Sequence, residues 1–418
     1  MLINGQWVEK WQPVQASDDE GRFLRQASGF RHRIGADSPE GFTPEAGRYV
    51  LYVAYICPWA CRTLIALRLK GLAHAIDVRV VDPRLTDQGW AFTGELGTDR
   101  DDINGARHMH ALYTRADPTY TGRATVPVLW DRSRATIVNN ESADILQILN
   151  GDFGALAQSE IDLRPATLID AIDAANARLY ADFNNGVYQA GFATTQAAYD
   201  EAVRRVFDCL AWMDARLESR QWLVDEQLTE TDIRAFVTLV RFDLAYYGLF
   251  KCNLRPLSAY PNVMAYLRRL LAMPAFASSV RADHIKAGYY SIRALNPAGI
   301  VFGHSAQVDV GGLVASTLSL SDADFLAGRH QFSGATSGRV ENHGRLTADG
   351  GYIALLGTQV HNTGTIQTPQ GHTALAAGNG ITLSLGADDL IGVRVDLVAL
   401  PPVAGPVREQ LLARSMPL

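Results

Sequence analysis

Apolar and polar positions in the first third of the chain alternate between strand and helix patterns. Residues 49–56 form an apolar run typical of a buried strand, and residues 58–72 carry apolar side chains at helical spacing. A second strand pattern occupies residues 75–83 and precedes a long insertion. Two more strands and a helix follow, at residues 121–131, at residues 135–138 and from Glu141 onward. This order, β-α-β and then β-β-α, predicts an α/β domain.

Apolar residues recur at three- and four-residue spacing across the middle of the chain. The three longest runs are residues 164–183, 196–217 and 229–250. Thr229 and Thr231, with acidic residues beside them, are typical of a helix start. The middle of the chain is therefore predicted to be an all-α domain.

From about residue 300, short strand patterns rich in Gly, Asn, Thr and Val replace the helical pattern. Residues 340–355 return 20 residues later as residues 360–375. Such a period predicts the rungs of a right-handed parallel β-helix, whose apolar faces are buried only by stacking. The patterns divide the chain into an arm at residues 1–45, an α/β domain at 46–155, an all-helical domain at 156–298, a β-helix at 299–398 and a tail at 399–418.

Composition adds limits to this organisation. The 418 residues carry a net charge of −6 with a pI near 5.9, so we expect no binding to nucleic acid or to an anionic membrane. The four cysteines are too few for a disulfide framework and suit a reducing compartment. The N-terminus lacks a signal-peptide pattern, and no stretch is long and apolar enough to span a bilayer. We therefore expect a cytoplasmic protein.

Cys57 falls between the first strand and the first helix. Pro58 suits the first helical turn, so Cys57 lies at a helix N-terminus, where unpaired N–H groups and the helix dipole favour a thiolate. A dithiol oxidoreductase needs its second cysteine three positions on, but Ala60 stands there, and Cys61 is one helical turn deeper. Cys57 is therefore the predicted catalytic nucleophile of a monothiol site, with glutathione as the expected second thiol.

Two neighbouring segments fit such a site. Val126-Pro127, near the start of a strand, indicates a cis peptide bond, which lies beside the reactive cysteine in thioredoxin-like folds. Glu141 and Ser142 begin a helix that could hold the γ-glutamyl carboxylate of glutathione, while Glu141 takes its ammonium group. An ordinary helix cap explains these two residues equally well.

The insertion after the second strand contains aspartates together with His108 and His110. Calcium-loop spacing fails there, because Arg100 stands where the first acidic ligand should be. The pattern therefore favours a polar surface loop, and no metal is expected.

Over residues 1 to about 300 the chain resembles the glutathionyl-hydroquinone reductases, the Xi class of glutathione transferases. The motifs that carry the resemblance are RQASGFR, CPWACRT, TGRATVPVLWD, NNESADI, NNGVYQAGFATTQ, RFDLAYYGLFKCN and DHIKAGYYSIRALNPAGI. The resemblance implies a multidomain fold, in which an α/β thioredoxin-like domain is followed by the all-α glutathione transferase C-terminal domain. It also implies a homodimer and a small aromatic substrate.

The resemblance further implies a role for each matching residue. Cys57 would attack the sulfur of an S-glutathionyl-hydroquinone, and a second glutathione would resolve the mixed disulfide. The residues expected to bind glutathione are Trp90, Arg123, Val126, Glu141 and Ser142. The residues expected to line the hydroquinone pocket are Tyr188, Tyr246 and Tyr289, with Tyr290 as the alternative to Tyr289.

The part after residue 299 resembles the secretion domain of filamentous haemagglutinin-type adhesins, the exported partners of two-partner secretion systems. The matching motifs are NPAGIVFG, AQVDVGGLVAST and SDADFLAG. The chain is therefore interpreted as a gene fusion of a reductase with a partial right-handed parallel β-helix. Two alternatives stay open. One is an Omega-like thiol transferase or dehydroascorbate reductase that uses the same Cys57, and the other is a non-enzymatic adhesin fragment with a passenger transferase domain.

Overall fold

A computed structural model describes residues 1–8, 17–292, 299–304, 306–320, 324, 329–334, 338–385 and 391–395. The chain divides into two compact units, Met1–Asn296 and Pro297–Leu418. The predicted tail at residues 399–418 lies outside the described residues, and the predicted boundaries at residues 45 and 155 stay predictions. None of the helices in the described part of the chain is long and apolar enough to cross a membrane.

The first unit contains a four-stranded sheet that begins after a short hairpin. Its first elements are β1 (Leu2–Ile3), β2 (Gln6–Trp7), β3 (Tyr49–Val53), α1 (Pro58–Leu69), β4 (Ile76–Val80), α2 (Met109–Ala116), β5 (Val128–Asp131), β6 (Thr136–Asn139) and α3 (Ser142–Gln147). The sheet order is β4-β3-β5-β6, with β3 parallel to β4 and antiparallel to β5. Every residue of β3 is buried, as its apolar run predicts. The predicted order of strands and helices is confirmed.

The insertion between β4 and β5 is not simply the polar surface loop that the sequence predicted, because it contains α2. Met109, Leu112 and Tyr113 are fully buried and give α2 an apolar face at helical spacing. Asp101 is buried as well, and its carboxylate accepts a hydrogen bond from the Tyr52 hydroxyl at 2.9 Å. This acid therefore holds the insertion against β3.

Helices form the rest of the first unit, as predicted. They are α4 (Ile169–Arg178), α5 (Gly186–Gly191), α6 (Gln196–Leu217), α7 (Glu230–Arg241), α8 (Pro261–Leu271), α9 (Pro274–Ala277) and α10 (Ala282–Tyr289). Short π-helical segments cover Ile148–Asp152, Leu179–Asn184 and Phe242–Tyr246, and 3₁₀ turns cover Leu72–His74, Gly154–Leu156, Ala166–Leu168 and Leu257–Ala259. Thr229 and Asp232 form a capping box that starts α7 where the sequence predicted a helix start. All of α7 except Val240 is buried, and α7 packs against α1.

Residues 30–33 of the arm lie along the open edge of the sheet at β6. The His32 N–H donates to Val138 O at 3.0 Å, and the Arg31 guanidinium pairs with Asp144 of α3. The arm thus covers an edge strand that would otherwise expose unpaired backbone groups.

The second unit contains stacked parallel strands. Its described strands are β7 (Gly299–Phe302), β8 (Gln307–Asp309), β9 (Gly312–Ser316), β10 (Ser319–Leu320), β11 (His330–Ser333), β12 (Arg339–Asn342), β13 (Arg345–Thr347), β14 (Tyr352–Gly357), β15 (Gln359–Asn362), β16 (Thr365–Gln367), β17 (His372–Ala377), β18 (Gly380–Leu385) and β19 (Ile391–Val395). The parallel sheets are β15-β12-β7, β16-β13-β8 and β17-β14-β9. These strands form three rungs, which confirms a partial parallel β-helix.

The repeat of 20 residues is the spacing between the second and third rungs. Val340 pairs with Val360, and Leu355 pairs with Leu375. Ile300 of the first rung also pairs with Val340, but from 40 residues away. Between these two rungs the chain forms β10 and β11, and β11 joins β18 and β19 in an antiparallel sheet. The sequence repeat did not predict this antiparallel sheet, because its strands do not share the period.

Candidate active site

Cys57 is the N-cap residue of α1, where the chain has just left β3. Pro58 occupies the first turn of the helix, as predicted. The Cys57 thiol accepts a hydrogen bond from the Ala60 N–H and donates one to Val126 O, both at 3.5 Å. The Val126-Pro127 bond is cis, which confirms that prediction. The start of α1 and the loop before β5 thus bring a thiol beside a backbone carbonyl.

Burial dominates the electrostatics of this cysteine. It raises the pKa of the Cys57 thiol to about 11, against the lowering effects of the Ala60 N–H and of the Arg241 charge. The thiol is enclosed, although the residue as a whole keeps some exposure. The N–H groups at the start of α1 favour the thiolate, as the sequence predicted, but burial has the larger effect in this structure. Other charges around the site therefore matter for its reactivity.

Arg241, the last residue of α7, supplies a positive charge beneath the turn that precedes α1. The residue is 1% exposed, and its guanidinium donates to Tyr55 O at 2.7 Å and to Ile56 O at 2.9 Å. The same guanidinium lies 3.0 Å from the Cys61 sulfur, which is buried as expected. The sequence analysis missed Arg241, because these contacts join positions 180 or more residues apart. All four cysteines are free thiols, as predicted.

The residues predicted to bind glutathione line one cleft together with Cys57. They are Trp90, Arg123, Val126, Glu141 and Ser142. The Glu141 side chain caps α3 by accepting a hydrogen bond from the Ala143 N–H at 3.1 Å, which confirms the interpretation as a helix cap, while binding of glutathione by Glu141 stays a prediction. Its other oxygen accepts a hydrogen bond from the Ser28 hydroxyl of the arm at 3.0 Å. Glu141 therefore serves as a cap and as a wall of the cleft.

The three predicted tyrosines are linked through their hydroxyl groups. The Tyr188 and Tyr289 oxygens are 2.6 Å apart, and those of Tyr246 and Tyr289 are 2.9 Å apart. Tyr188 and Tyr289 line the cleft, whereas Tyr246 is fully buried and does not line it. The alternative residue, Tyr290, is 46% exposed and lies outside the lining. Burial raises the pKa of all three linked hydroxyls, so they stay protonated at neutral pH.

An additional aromatic and cationic part of the cleft was missed by the sequence analysis. Arg25 of the arm and Trp59 of α1 both line the cleft. The Arg25 guanidinium carbon lies 4.6 Å from the Trp59 ring centroid and 4.9 Å from that of Tyr188. Both residues belong to motifs that the sequence analysis used only to establish a family resemblance, RQASGFR and CPWACRT.

The described residues contain no group of three or more His, Cys, Asp or Glu side chains that could hold a metal ion. His108 and His110 stack with ring centroids 5.4 Å apart, and Trp7 stacks on His110 at 4.5 Å. Burial lowers the pKa of His110 to about 4, so this ring stays neutral within the stack. The histidines of the insertion are packing residues.

Comparisons with known proteins match this architecture. A family model described as the glutathione S-transferase N-terminal domain matches residues 56–151, and one described as the C-terminal domain matches residues 196–269. The glutathionyl-hydroquinone reductase PcpF of Sphingobium chlorophenolicum is 46% identical over 302 residues, which cover 72% of this chain and 95% of that protein. The crystal structure of the glutathione-S-transferase Xi from Phanerochaete chrysosporium is 44% identical with a TM-score of 0.66, and the match covers 68% of this chain and 95% of that one. The chain belongs to the Xi class of glutathione transferases.

A glutathione-bound structure of YqjG, a glutathione transferase homologue from Escherichia coli K-12, is also similar to this Xi-class chain. It is 41% identical with a TM-score of 0.65, and the match covers 71% of this chain and 92% of that one. A separate family model, the TPS secretion domain, matches residues 292–404. This match confirms the predicted resemblance of the second unit.

Proposed function

We propose that this Xi-class transferase is a glutathionyl-hydroquinone reductase, which uses glutathione to reduce S-glutathionyl-hydroquinones to hydroquinones. The observation that carries the proposal is that Cys57, a set of polar residues suited to glutathione and two tyrosine hydroxyls line the same cleft. A relative that carries the name of this activity is 46% identical, which supports the proposal.

Each polar group of glutathione has a proposed partner in the cleft. Ser142 and the first N–H groups of α3 take the γ-glutamyl carboxylate, and Glu141 takes the neighbouring ammonium group. Arg123 takes the other carboxylate, and the backbone of Val126 pairs with the cysteinyl part. Trp90 packs on the tripeptide. The sulfur of the bound glutathionyl group would then face Cys57.

The aromatic ring is proposed to occupy the side of the cleft formed by Tyr188 and Tyr289. Burial keeps both hydroxyls protonated, and because one of them donates to the other, the remaining hydrogen can be donated to a ring oxygen of a hydroquinone. Tyr246 acts one step further back, as a positioning residue, because its hydroxyl bonds that of Tyr289.

The proposed reaction has two exchange steps. The Cys57 thiolate attacks the glutathione sulfur, so an S–S bond forms and the bond from sulfur to the ring carbon breaks. The ring carbon has taken up a proton beforehand, in the keto tautomer of the hydroquinone, so the electron pair of the broken bond enters the ring as a phenolate, and the ring is reduced by two electrons. A second glutathione thiolate attacks the mixed disulfide and releases oxidised glutathione and the Cys57 thiolate.

Replacement of the nucleophile tests the proposal. We expect Cys57→Ala to lower glutathione-dependent reduction of a glutathionyl-hydroquinone by about a thousandfold or more. Cys209→Ala is the matched control, because it removes a buried thiol of α6 outside the cleft. Full activity of Cys57→Ala would contradict the proposal. A higher kcat/KM for dehydroascorbate or small mixed disulfides than for any glutathionyl-hydroquinone would favour the Omega-like alternative.

We further propose that the protein works in the cytoplasm as a homodimer formed by its transferase unit, with the β-helix as a non-catalytic appendage. The free state of all four cysteines supports a reducing compartment. Light scattering on the full chain should give the mass of a dimer, and cell fractionation should find the protein in the cytoplasm. A monomer mass or recovery at the cell surface would contradict these proposals, and the latter would favour the adhesin alternative.

A further inference from the structure

Arg25, a residue of the arm, places a positive charge at the aromatic side of the cleft. Its guanidinium lies over the rings of Trp59, Tyr188 and Phe23, at 4.6, 4.9 and 5.2 Å from their centroids. The Arg25 Nε donates to Asn185 Oδ1 at 2.9 Å. Nη2 is buried and finds no hydrogen-bond partner among the described residues. Stacking uses the faces of a guanidinium and leaves its N–H edge available to an acceptor in its plane.

In the proposed binding mode, no charged group of glutathione pairs with Arg25. The charged residues of the cleft lining are Arg25, Arg123 and Glu141. In the proposed binding mode, Glu141 meets the ammonium group, while Arg123 and the start of α3 meet the two carboxylates. Burial and then the charge of Arg25 lower the pKa of Arg123 to about 10, so the two cations are close enough to interact. Arg25 is therefore the cation left to face the aromatic part of the substrate.

We propose that Arg25 is a specificity residue that binds the ring oxyanion of the aromatic substrate, so that the cleft selects S-glutathionyl-hydroquinones with acidic ring hydroxyls. This inference rests on the proposed function. In the keto tautomer of the substrate, the ring carbon that bears sulfur has already taken up a proton. When its bond to sulfur breaks, the electron pair enters the π system, and the ring oxygen carries negative charge until that oxygen is protonated. A guanidinium N–H edge in a walled cleft stabilises such a charge.

A series of substrates that differ only in the acidity of the hydroquinone tests the assignment. The full chain, Arg25→Met and Arg25→Lys are assayed with chlorinated, unsubstituted and methylated glutathionyl-hydroquinones. We expect Arg25→Met to lower kcat/KM about tenfold to a hundredfold for the chlorinated substrate and markedly less for the methylated one. Arg25→Lys should keep part of the preference, because it keeps the charge. Arg33→Met is the control, since that arm residue pairs with Asp152 outside the cleft.

A binding measurement without turnover gives an independent readout. The probe is 4-nitrophenol, whose phenolate absorbs visible light. Its apparent pKa when bound should fall by about one unit in the full chain and return to the solution value in Arg25→Met. Equal losses for all ring substituents, together with a raised KM for glutathione, would overturn the proposal and assign Arg25 to a glutathione carboxylate. The proposal would also be overturned if 4-nitrophenol bound to Arg25→Met had the same apparent pKa as 4-nitrophenol bound to the unsubstituted chain. If the full chain reduced no glutathionyl-hydroquinone but did shift the pKa of 4-nitrophenol, the proposed function would fail while Arg25 remained an oxyanion site.

Discussion

The two sides of the cleft are built from different kinds of contact. On the sulfur side, Cys57 and Glu141 are N-cap residues, and Val126 contributes a backbone carbonyl, so their positions follow from the ends of α1, α3 and β5. On the aromatic side, Tyr188 and Tyr289 meet through side chains 101 residues apart in sequence. Sulfur chemistry therefore depends on local backbone structure, whereas recognition of the ring depends on long-range packing. Substitutions on the sulfur side should affect every substrate, and those on the aromatic side should affect aromatic substrates most.

Arg241→Met should have the largest effect, because it removes a buried support of the sulfur side. The substitution leaves the buried Ile56 O and the partly buried Tyr55 O without their guanidinium donor. We expect the first unit to lose about 3 kcal/mol of unfolding free energy, since unpaired buried groups cost roughly 1–3 kcal/mol each. All seven tryptophans lie in the first unit, so urea unfolding followed by tryptophan fluorescence reports on that unit alone.

The same variant separates support of the fold from an electrostatic role. The charge of Arg241 lowers the pKa of Cys57, so its removal raises that pKa further and leaves less thiolate at a given pH. Alkylation of Cys57 by iodoacetamide at neutral pH should slow about twofold or more, because only the thiolate reacts. Arg204→Met, an exposed residue of α6, is the control. Lower stability with unchanged alkylation would restrict Arg241 to a structural role.

Glu141→Gln tests the polar part of the sulfur side with a smaller expected effect. Gln keeps an oxygen that can cap α3, but it loses the charge proposed to meet the ammonium group of glutathione. A hydrogen bond between charged groups contributes about 2 kcal/mol, so the KM for glutathione should rise about thirtyfold for every substrate. Glu160→Gln, at an exposed position, is the control. A KM that rose only with aromatic substrates would contradict the division between the two sides.

The difference between local backbone structure on the sulfur side and long-range packing on the aromatic side also explains what could be predicted from the sequence. Cys57, the Val126-Pro127 bond and Glu141 were predictable because a strand pattern, a proline or a helix start marks each position locally. The rungs of the β-helix were predictable because stacking repeats the sequence after 20 residues. The family resemblance, rather than any local pattern, identified the tyrosines.

What the sequence could not predict depends on contacts between distant elements. Arg241 reaches the turn before α1 from 185 residues away, and no pattern around it indicates a buried cation. Arg25 lies in a part of the arm outside any helix or strand, and only the fold brings it over Trp59. The helix α2 was missed because its three buried residues stand among polar ones in a segment already interpreted as a loop.

On the aromatic side, Tyr188→Phe should lower kcat/KM for glutathionyl-hydroquinones by about fivefold to tenfold. The substitution keeps the ring and removes one neutral hydrogen-bonding group, which contributes about 1 kcal/mol. Reduction of a small glutathione mixed disulfide by the same variant should change less, because that substrate has no ring oxygen. Tyr290→Phe is the control, since it makes the same change at an exposed position outside the cleft lining. Equal losses with both substrates would mean that Tyr188 acts on the sulfur chemistry.

The smallest expected effect concerns a hydrogen bond that connects the arm near Arg25 with Glu141 on the sulfur side. Ser28 lies three residues beyond Arg25 in the arm, and its hydroxyl donates to Glu141 Oε2 at 3.0 Å. Ser28→Ala removes this contact, so Glu141 is less firmly held while its cap to α3 remains. We expect the KM for glutathione to rise about threefold, as for the loss of one partly exposed hydrogen bond. Ser38→Ala, which removes an arm hydroxyl outside the cleft lining, should leave the KM unchanged. A loss confined to aromatic substrates would instead mean that the contact from Ser28 to Glu141 acts by positioning Arg25, so that the arm belongs wholly to the aromatic side.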